Sequence, residues 1–260
     1  MSPRLAAVFA HPDDDTFGIA GTVALHADDP GFALAVVLAT SGEAGRIADA
    51  SLATPETLGA VREAEDRASW EALGVRPELL AFLRYPDGGL AEVPRAELVE
   101  RIVALLGEFL PDVVVTFGPE GVTGHADHVA VGAAADGAFH MARERASAGF
   151  SRLLHVCLPA SLLERFGELL RERGIEPPDP TQPFQPRGVP DAEVAVSVDC
   201  RSVLPRKLAA IREHRTQAEL EELPEDLWGA VLGSEHFAQA WPPREPGAPV
   251  LRDVFEGLPT

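Results

Sequence analysis

The sequence predicts an α/β protein built on a doubly wound, mostly parallel sheet. Short apolar runs rich in β-branched residues alternate with longer segments of helical period, as in βαβ units joined by right-handed crossovers. The runs Phe32–Ala39 and Asp112–Phe117 are apolar almost throughout, which is typical of strands covered on both faces. These observations favour a Rossmann-like sheet with strand order 3-2-1-4-5 and C-terminal additions.

Local signals indicate each element in turn. The predicted strands are Leu5–Ala10, Phe32–Ala39, Leu79–Leu83, Asp112–Phe117, Leu153–Leu158 and Glu193–Val198. The predicted helices are Thr16–His26, Thr54–Leu73, Pro94–Leu110, His125–Arg145, Leu162–Arg173 and Val203–Glu213. The second helix takes Thr54 as its N-cap and Pro55 as its first residue, and Gly74 ends it.

The chain is expected to form one domain with an internal loop. Residues 1–175 are predicted to form the Rossmann-like core with the metal site, and residues 176–191 a proline-rich loop. Residues 192–260 are predicted to be a strand–helix extension of the same domain. The final stretch is expected to hold a short helix around Trp228 and extended pieces that include Val250–Phe255.

Composition restricts the partners. The 260 residues include 22 basic and 41 acidic side chains, a formal net charge of −19, which disfavours nucleic acids and anionic membranes. No apolar run is long enough to span a bilayer. Two cysteines cannot form a disulfide framework, which favours a reduced, cytoplasmic setting. Together with the net charge, this leads us to expect a cytoplasmic protein that acts on a small molecule. Assembly into a homo-oligomer is left open.

Two clusters of chemistry-bearing residues follow predicted strands. His11-Pro12-Asp13-Asp14-Asp15 comes after the first strand, where a dinucleotide-binding fold would carry GxGxxG, and Gly124–His128 comes after the fourth. Strands one and four are neighbours in the expected order, so both clusters flank one crevice. Adjacent carboxylates repel each other, and a divalent cation relieves that repulsion. Two imidazoles and a carboxylate suit zinc, with iron(II) as an alternative.

Each cluster alone also has a structural interpretation. The run Asp13–Asp15 would complement a helix dipole, and His128 would serve as a cap. The coincidence of both clusters at neighbouring strand ends favours the metal site. The other histidines are interpreted as structural: His26, His140, His155, His214 and His236.

The residues that carry this pattern resemble a known family. His11-Pro12-Asp13-Asp14 and Gly124-His125-Ala126-Asp127-His128 resemble the motifs of the LmbE/PIG-L family of zinc-dependent N-acetylglucosaminyl deacetylases, which includes mycothiol- and bacillithiol-biosynthesis-type enzymes. The resemblance covers most of residues 5–217. Other stretches in register are Gly42–Gly45, Val61–Glu63, Tyr85–Gly88 and Lys207–Gln217.

The resemblance implies a role for each matching residue. His11, Asp14 and His128 would bind one zinc ion per chain. Asp13 would be the general base that takes a proton from the zinc-bound water.

A second set of matching residues would act on the substrate. His125 would stabilise the oxyanion or protonate the leaving amine, and Asp127 would hold its orientation. Arg62 and Asp87 match positions that hold sugar hydroxyls in the family.

Two positions depart from the family pattern. Asp15 replaces the glutamate that usually ends the first motif, which changes the hydrogen bonding next to the metal. Thr123 stands where some members that act on inositol conjugates carry an aromatic residue. The second departure points weakly away from the inositol branch.

The predicted function is therefore removal of an N-acetyl group from an N-acetylglucosaminyl small-molecule conjugate. An amidase of a thiol S-conjugate and a deacetylase of antibiotics or chitooligosaccharides would share this site and differ at its rim. A non-catalytic zinc-dependent sugar-binding protein would need neither Asp13 nor His125. A nucleotide-binding protein would need the missing glycine-rich turn.

Overall fold

A computed structural model describes residues 3–217 and 224–258. The strands are β1 (Arg4–Phe9), β2 (Ala33–Leu38), β3 (Leu79–Phe82), β4 (Val113–Phe117), β5 (Arg152–Val156), β6 (Leu158–Pro159), β7 (Gly188–Val189), β8 (Val194–Asp199) and β9 (Ser234–Trp241). The helices are α1 (Asp14–His26), α2 (Leu58–Leu73), α3 (Arg95–Phe109), α4 (Gly121–Gly124), α5 (Ala126–Arg145), α6 (Ala160–Glu172), α7 (Leu204–Ile211) and α8 (Glu225–Leu232). Short 3₁₀ turns cover Leu90–Glu92, Asp191–Glu193 and Arg201–Val203.

The central sheet has the order β3-β2-β1-β4-β5-β9-β8. Its first five strands are parallel, which confirms the predicted order 3-2-1-4-5. Strand β9 pairs antiparallel with β5 and with β8, and these two strands extend the sheet. The fold class predicted from the alternating pattern is therefore correct, and the C-terminal additions belong to the same sheet.

The C-terminal strands differ from expectation in detail. Strand β8 matches the predicted Glu193–Val198, and α8 contains Trp228 as expected. The long strand Ser234–Trp241 was not among the predictions, because its polar residues and histidine interrupt the apolar pattern. The stretch Val250–Phe255 forms only a bridge from Leu251 to β8 and turns elsewhere.

Helix α2 begins later than predicted. Its first residue is Leu58, whereas the sequence indicates Thr54 as the N-cap and Pro55 as the first residue. The carbonyl of Thr54 accepts the N–H groups of Thr57 and Leu58 at 3.0 and 2.9 Å, so residues 55–57 form a turn that leads into the helix. Gly74 ends the helix as predicted, with φ at 79°, a conformation that glycine adopts without steric cost.

The core lies in the strands that carry the two clusters. Every residue of Leu5–Phe9 and of Val113–Val115 is fully buried, as expected for central strands of a parallel sheet. Helix α3 packs on α5, and α7 packs on α1 and α2. This packing fixes the carboxyl ends of β1 and β4 next to each other, which is where ligands bind in such sheets.

No helix within residues 3–217 and 224–258 has the length and apolarity needed to cross a bilayer.

Candidate metal centre

The turn between β1 and α1 brings three polar side chains to one edge of the sheet. The backbone N–H of His11 donates to Oδ2 of Asp14 at 2.8 Å, which closes the turn. Asp13 occupies the N-cap position with φ at 111°, a conformation that non-glycine residues rarely adopt. Such strained positions are concentrated at functional sites.

The connection after β4 supplies the other two histidines. Helix α4 contains Val122 at φ 59° and leads directly to His125, the N-cap residue of α5. Nδ1 of His125 accepts the backbone N–H of Asp127 at 3.1 Å, so a neutral His125 carries its proton on Nε2. His128 lies in the first turn of α5 and faces His11.

The three predicted ligands converge. Nδ1 of His11 lies 3.3 Å from Oδ2 of Asp14 and 3.3 Å from Nε2 of His128. Nε2 of His128 lies 3.3 Å from Oδ1 of Asp14. Tetrahedral ligands about 2.0–2.1 Å from a zinc ion lie roughly 3.3–3.4 Å from one another. These residues therefore fit a bound metal ion in both spacing and donor type.

The outer nitrogens of both histidines also have partners. Nδ1 of His128 lies 2.9 Å from the carbonyl of Gly121. Nε2 of His11 lies 3.0 Å from Oδ1 of Asp87 and 3.5 Å from Oδ2 of Asp127, although neither contact is aligned as a hydrogen bond. A carboxylate or carbonyl behind each imidazole is the usual arrangement around metal-ligating histidines.

Two further groups of residues around His11 could hold a metal: one adds His125 and His128, and the other adds Asp87 and Asp127. The second group meets the nitrogen of His11 that faces away from Asp14. The predicted set has three contacts of 3.3 Å, whereas the second group lies 3.0 and 3.5 Å from His11. The group with Asp87 and Asp127 is therefore better placed to orient His11 than to share the same ion.

The electrostatics of the cluster favour a cation. Burial lowers the pKa of His11, but the neighbouring carboxylates of Asp127, Asp14 and Asp87 outweigh it and hold that pKa well above its ordinary value. Burial raises the pKa of Asp14, while the charges of His128 and His11 bring it well below its usual range. When no metal ion is bound, protons on the histidines therefore balance the negative charge of the carboxylates. A divalent ion that binds here displaces those protons.

The positions of Asp127 and Asp87 differ from the sequence-based expectation. Asp127 contacts His125 through its backbone N–H, and its carboxylate accepts the N–H groups of Gly88 and Leu90 at 2.7 and 3.0 Å. Oδ2 of Asp87 accepts the N–H of Ala44 at 2.9 Å. Both carboxylates thus hold the loop after β3 against His11, so a sugar-hydroxyl role for Asp87 stays a prediction.

Arg62 holds the turn that carries Asp13 and the backbone of Gly42 through its two terminal nitrogens. Its Nη2 donates to Oδ2 of Asp13 at 2.8 Å and to the carbonyl of Pro12 at 2.6 Å. Its Nη1 donates to the carbonyl of Gly42 at 3.0 Å. Only 4% of Arg62 is exposed, so the structure places it beneath Asp13, and its predicted contact with sugar hydroxyls stays a prediction.

Asp15 belongs to a buried network behind the centre that the sequence did not predict. Its oxygens accept the N–H of Thr16 at 2.9 Å and Nε1 of Trp70 at 3.0 Å. Burial, together with Asp14, raises the pKa of Asp15 to about 6, and burial with Asp15 and Asp13 raises that of Asp66 well above its usual range. Asp15 and Asp66 thus hold their protons to a higher pH than exposed carboxyls do, and the short side chain of Asp15 is fully buried.

A cavity of about 770 Å³ opens over the centre. On one side it is lined by polar groups that include Asp13, Arg62 and Asp87. Other lining residues come from the proline-rich segment, the end of β5 and the C-terminal elements. No sequence pattern predicted that these segments line a cavity. Its apolar lining includes Phe17, Val122, Val156, Leu158, Phe184, Val231 and Leu232.

Known proteins match the part of the chain that builds this centre. A family described as PIG-L: GlcNAc-PI de-N-acetylase matches residues 6–139, about half of the chain, which includes both clusters. The 1D-myo-inositol 2-acetamido-2-deoxy-alpha-D-glucopyranoside deacetylase of Geodermatophilus obscurus is 34% identical over 299 aligned residues, covering 99% of each chain.

Solved structures share the fold. The N,N'-diacetylchitobiose deacetylase of Pyrococcus horikoshii matches with a TM-score of 0.59 at 24% identity, covering 95% of this chain and 85% of that one. The 4-carboxy-2-hydroxymuconate hydratase of Pseudomonas putida matches with a TM-score of 0.56 at 20% identity, covering 96% of this chain and all of that one. Since a deacetylase and a hydratase share the fold, the reaction must be argued from the site.

Proposed function

The chain belongs to the PIG-L family of de-N-acetylases, and from this we propose that it is a zinc-dependent hydrolase that removes the acetyl group from an N-acetylglucosaminyl small-molecule conjugate. The observation that carries the proposal is the convergence of His11, Asp14 and His128 at mutual distances of 3.3 Å beside Asp13. A relative that spans the same length is named for deacetylation of an N-acetylglucosaminyl inositol.

His11, Asp14 and His128 are the residues that would hold the metal ion. When bound, a divalent cation supplies Lewis-acid polarisation of the acetamide carbonyl and activation of water. Two imidazoles and one carboxylate suit zinc and leave a position open to substrate, and the same donors accept iron(II).

Asp13 is proposed as the general base. It is next in sequence to the ligand Asp14, yet its own carboxylate is held by Arg62 at 2.8 Å instead of joining the metal set. This contact fixes Asp13 at the cavity wall, where it can take a proton from the attacking water and pass it to the leaving amine.

His125 is proposed to stabilise the oxygen on which charge develops. Its Nδ1 accepts from the backbone of Asp127, which leaves Nε2–H as the donor toward the cavity. Burial, with the charges of His11 and His128, lowers the pKa of His125, so the ring is neutral and donates without a net charge. This favours oxyanion stabilisation over proton donation to the amine.

The test is deacetylation by the Asp13→Asn enzyme. We expect it to keep bound zinc, measured by elemental analysis, while kcat falls by about 10²–10⁴-fold on an active N-acetylglucosaminyl conjugate. Substrates are an inositol conjugate, a malate conjugate, N,N'-diacetylchitobiose and free N-acetylglucosamine, assayed for released amine. Asp199→Asn, an exposed carboxylate outside the cavity, is the matched control.

Two results contradict the proposal. One is full activity of the zinc-loaded Asp13→Asn enzyme, because that result would show that Asp13 is not the general base. The other is a purified wild-type protein that carries no stoichiometric divalent ion and deacetylates none of the four compounds.

A further inference from the structure

Phe184 is an aromatic ring that the fold leaves facing the cavity. Its exposed fraction is 62%, the highest among the large apolar side chains of residues 3–217 and 224–258. It lines the cavity together with Pro186 from the same proline-rich segment. A ring of this size is normally buried, so its exposure beside a cavity calls for a partner.

The segment that carries Phe184 is anchored to the metal centre. The N–H of Arg187 donates to the carbonyl of Val122 at 2.7 Å, and β7 pairs with β6 directly after it. Phe184 itself has φ at 58°, an unfavourable backbone conformation for an aromatic residue. Two anchors within five residues therefore hold the ring where it is in spite of local strain.

The ring lies next to a proposed catalytic group. The centroid of Phe184 is 4.9 Å from that of His125, with a tilt of 38°. The His125 ring is in turn 4.9 and 5.0 Å from the rings of His11 and His128. Phe184 therefore lies one ring away from the metal centre, in the wall of the same cavity.

The lining of the cavity that Phe184 shares is partly apolar. Leu158 and Val231 also belong to it, and the ammonium group of Lys207 in the lining is neutralised by Glu235 at 2.6 Å. A volume of about 770 Å³ falls in the range that holds drug-sized ligands, so there is room for more than one sugar unit.

We propose that Phe184 is a specificity-determining residue whose ring packs against a saturated ring joined to the N-acetylglucosaminyl unit, such as a cyclitol or a second sugar. The C–H face of such a ring offers an apolar surface that matches an aromatic face in size and shape. An acyclic, anionic aglycone has no such face. This inference rests on the proposed deacetylase function and adds the class of aglycone.

The test compares two kinds of substrate in the Phe184→Ala enzyme. For the inositol conjugate and N,N'-diacetylchitobiose, we expect kcat/KM to fall by about three- to tenfold, mainly through KM. For free N-acetylglucosamine and the malate conjugate, we expect a change below about twofold. Phe184→Tyr keeps the aromatic face and should restore kcat/KM on the ring-bearing pair.

Leu110→Ala is the matched control. Leu110 is also a partly exposed apolar residue, 41% exposed, with φ at 54°, but it ends α3 and does not line the cavity. This variant should leave all four substrates unaffected. An equal loss of kcat on all four substrates in Phe184→Ala would overturn the proposal, because Phe184 would then act only through His125. No loss on any of them would also overturn it.

Direct binding separates this proposal from the deacetylase function. Calorimetry with the glucosaminyl-inositol amine should show three- to tenfold weaker binding to zinc-loaded Phe184→Ala than to wild type, whereas glucosamine binds both equally. If wild type turns over none of the substrates, the proposed function fails and the binding difference still decides the role of Phe184. Equal binding of both amines to both proteins would refute that role.

Discussion

The two ends of helix α1 carry the same chemistry and use it differently. At its N-terminal end, His11 lies among the carboxylates of Asp14 and Asp87. At its C-terminal end, His26 lies between Asp29 and Asp253, with Nδ1 2.6 Å from one carboxylate and Nε2 2.7 Å from the other. Neighbouring carboxylates raise the pKa of both histidines in spite of burial.

The difference lies in what is left for a ligand. Both nitrogens of His26 are used by hydrogen bonds, and its ring packs against Phe32 and Phe255. His26 thus fastens the C-terminal tail to α1. At His11, by contrast, a second histidine approaches to 3.3 Å and a cavity opens beside it.

The comparison shows that a histidine between carboxylates does not by itself indicate a metal site. What indicates one is convergence of ligand atoms from separate strand ends at the spacing of a coordination shell. At His26 the two ring nitrogens already face Asp29 and Asp253, so a cation bound there would have no coordination position left for a substrate or water. Five substitutions would break or sharpen this contrast.

The largest expected effect is that of His11→Ala. Removal of one ligand leaves Asp14 and His128 without a third donor, so we expect loss of stoichiometric zinc and activity below that of the Asp13→Asn enzyme. His26→Ala should retain both zinc and kcat. Elemental analysis and turnover of the two purified variants measure the contrast, and loss of zinc from His26→Ala would abolish it.

Asp87→Asn distinguishes two roles for one carboxylate. If Asp87 orients His11, the variant binds zinc about 10–100-fold more weakly, as measured by competition with a chelator. Its KM is then nearly unchanged when zinc is saturating. If Asp87 holds a sugar hydroxyl instead, KM rises and zinc affinity stays the same. We expect the first pattern, because both oxygens of Asp87 are already engaged. Asp29→Asn, the equivalent change beside His26, should alter neither quantity.

His26→Gln should lower stability without touching catalysis. The protonated ring sits in the last turn of α1, where a positive charge is favoured by the helix dipole, and it satisfies two carboxylates. We expect a loss of about 1–2 kcal/mol in the free energy of unfolding at pH 6. Chemical denaturation measures it, and Tm should fall by about 2–4 °C per kcal/mol. An unchanged midpoint would mean that the tail is held by other contacts.

The same pair of proteins gives a pH dependence of known sign. Because the folded pKa of His26 lies above its unfolded value of about 6.5, its contribution is complete below that value and is lost as pH rises through the folded pKa. The stability gap between wild type and His26→Gln should therefore be widest near pH 6 and narrow toward pH 9. A gap that grows with pH would show that the ring is neutral in the folded protein.

Sequence reasoning predicted the parallel half of the molecule and the convergence of the two polar clusters, because both follow from strand ends. Continuous apolar runs located β1 and β4, and the residues just beyond them, His11, Asp14 and His128, had to meet. It did not reach β9, whose residues are half-buried, nor the cavity wall around Phe184. That wall depends on how an irregular proline-rich segment docks, and no periodic pattern encodes such docking.

It also did not predict which protein groups Asp87 and Arg62 contact. Their residue types suit sugar hydroxyls, but which neighbour each side chain meets depends on the path of the loops after β2 and β3. In the structure those loops bring them to His11 and Asp13 first.

The contact between Arg62 and Gly42 makes the residue type at one of these positions depend on the residue type at the other. Gly42 has φ at 64°, and a Cβ atom there would lie 2.2 Å from Nη1 of Arg62. A side chain at position 42 would therefore expel the guanidinium that holds Asp13. Through descent, the glycine and the arginine should be kept or replaced together, and a lineage that exchanged one alone would have had to find another way to hold its base.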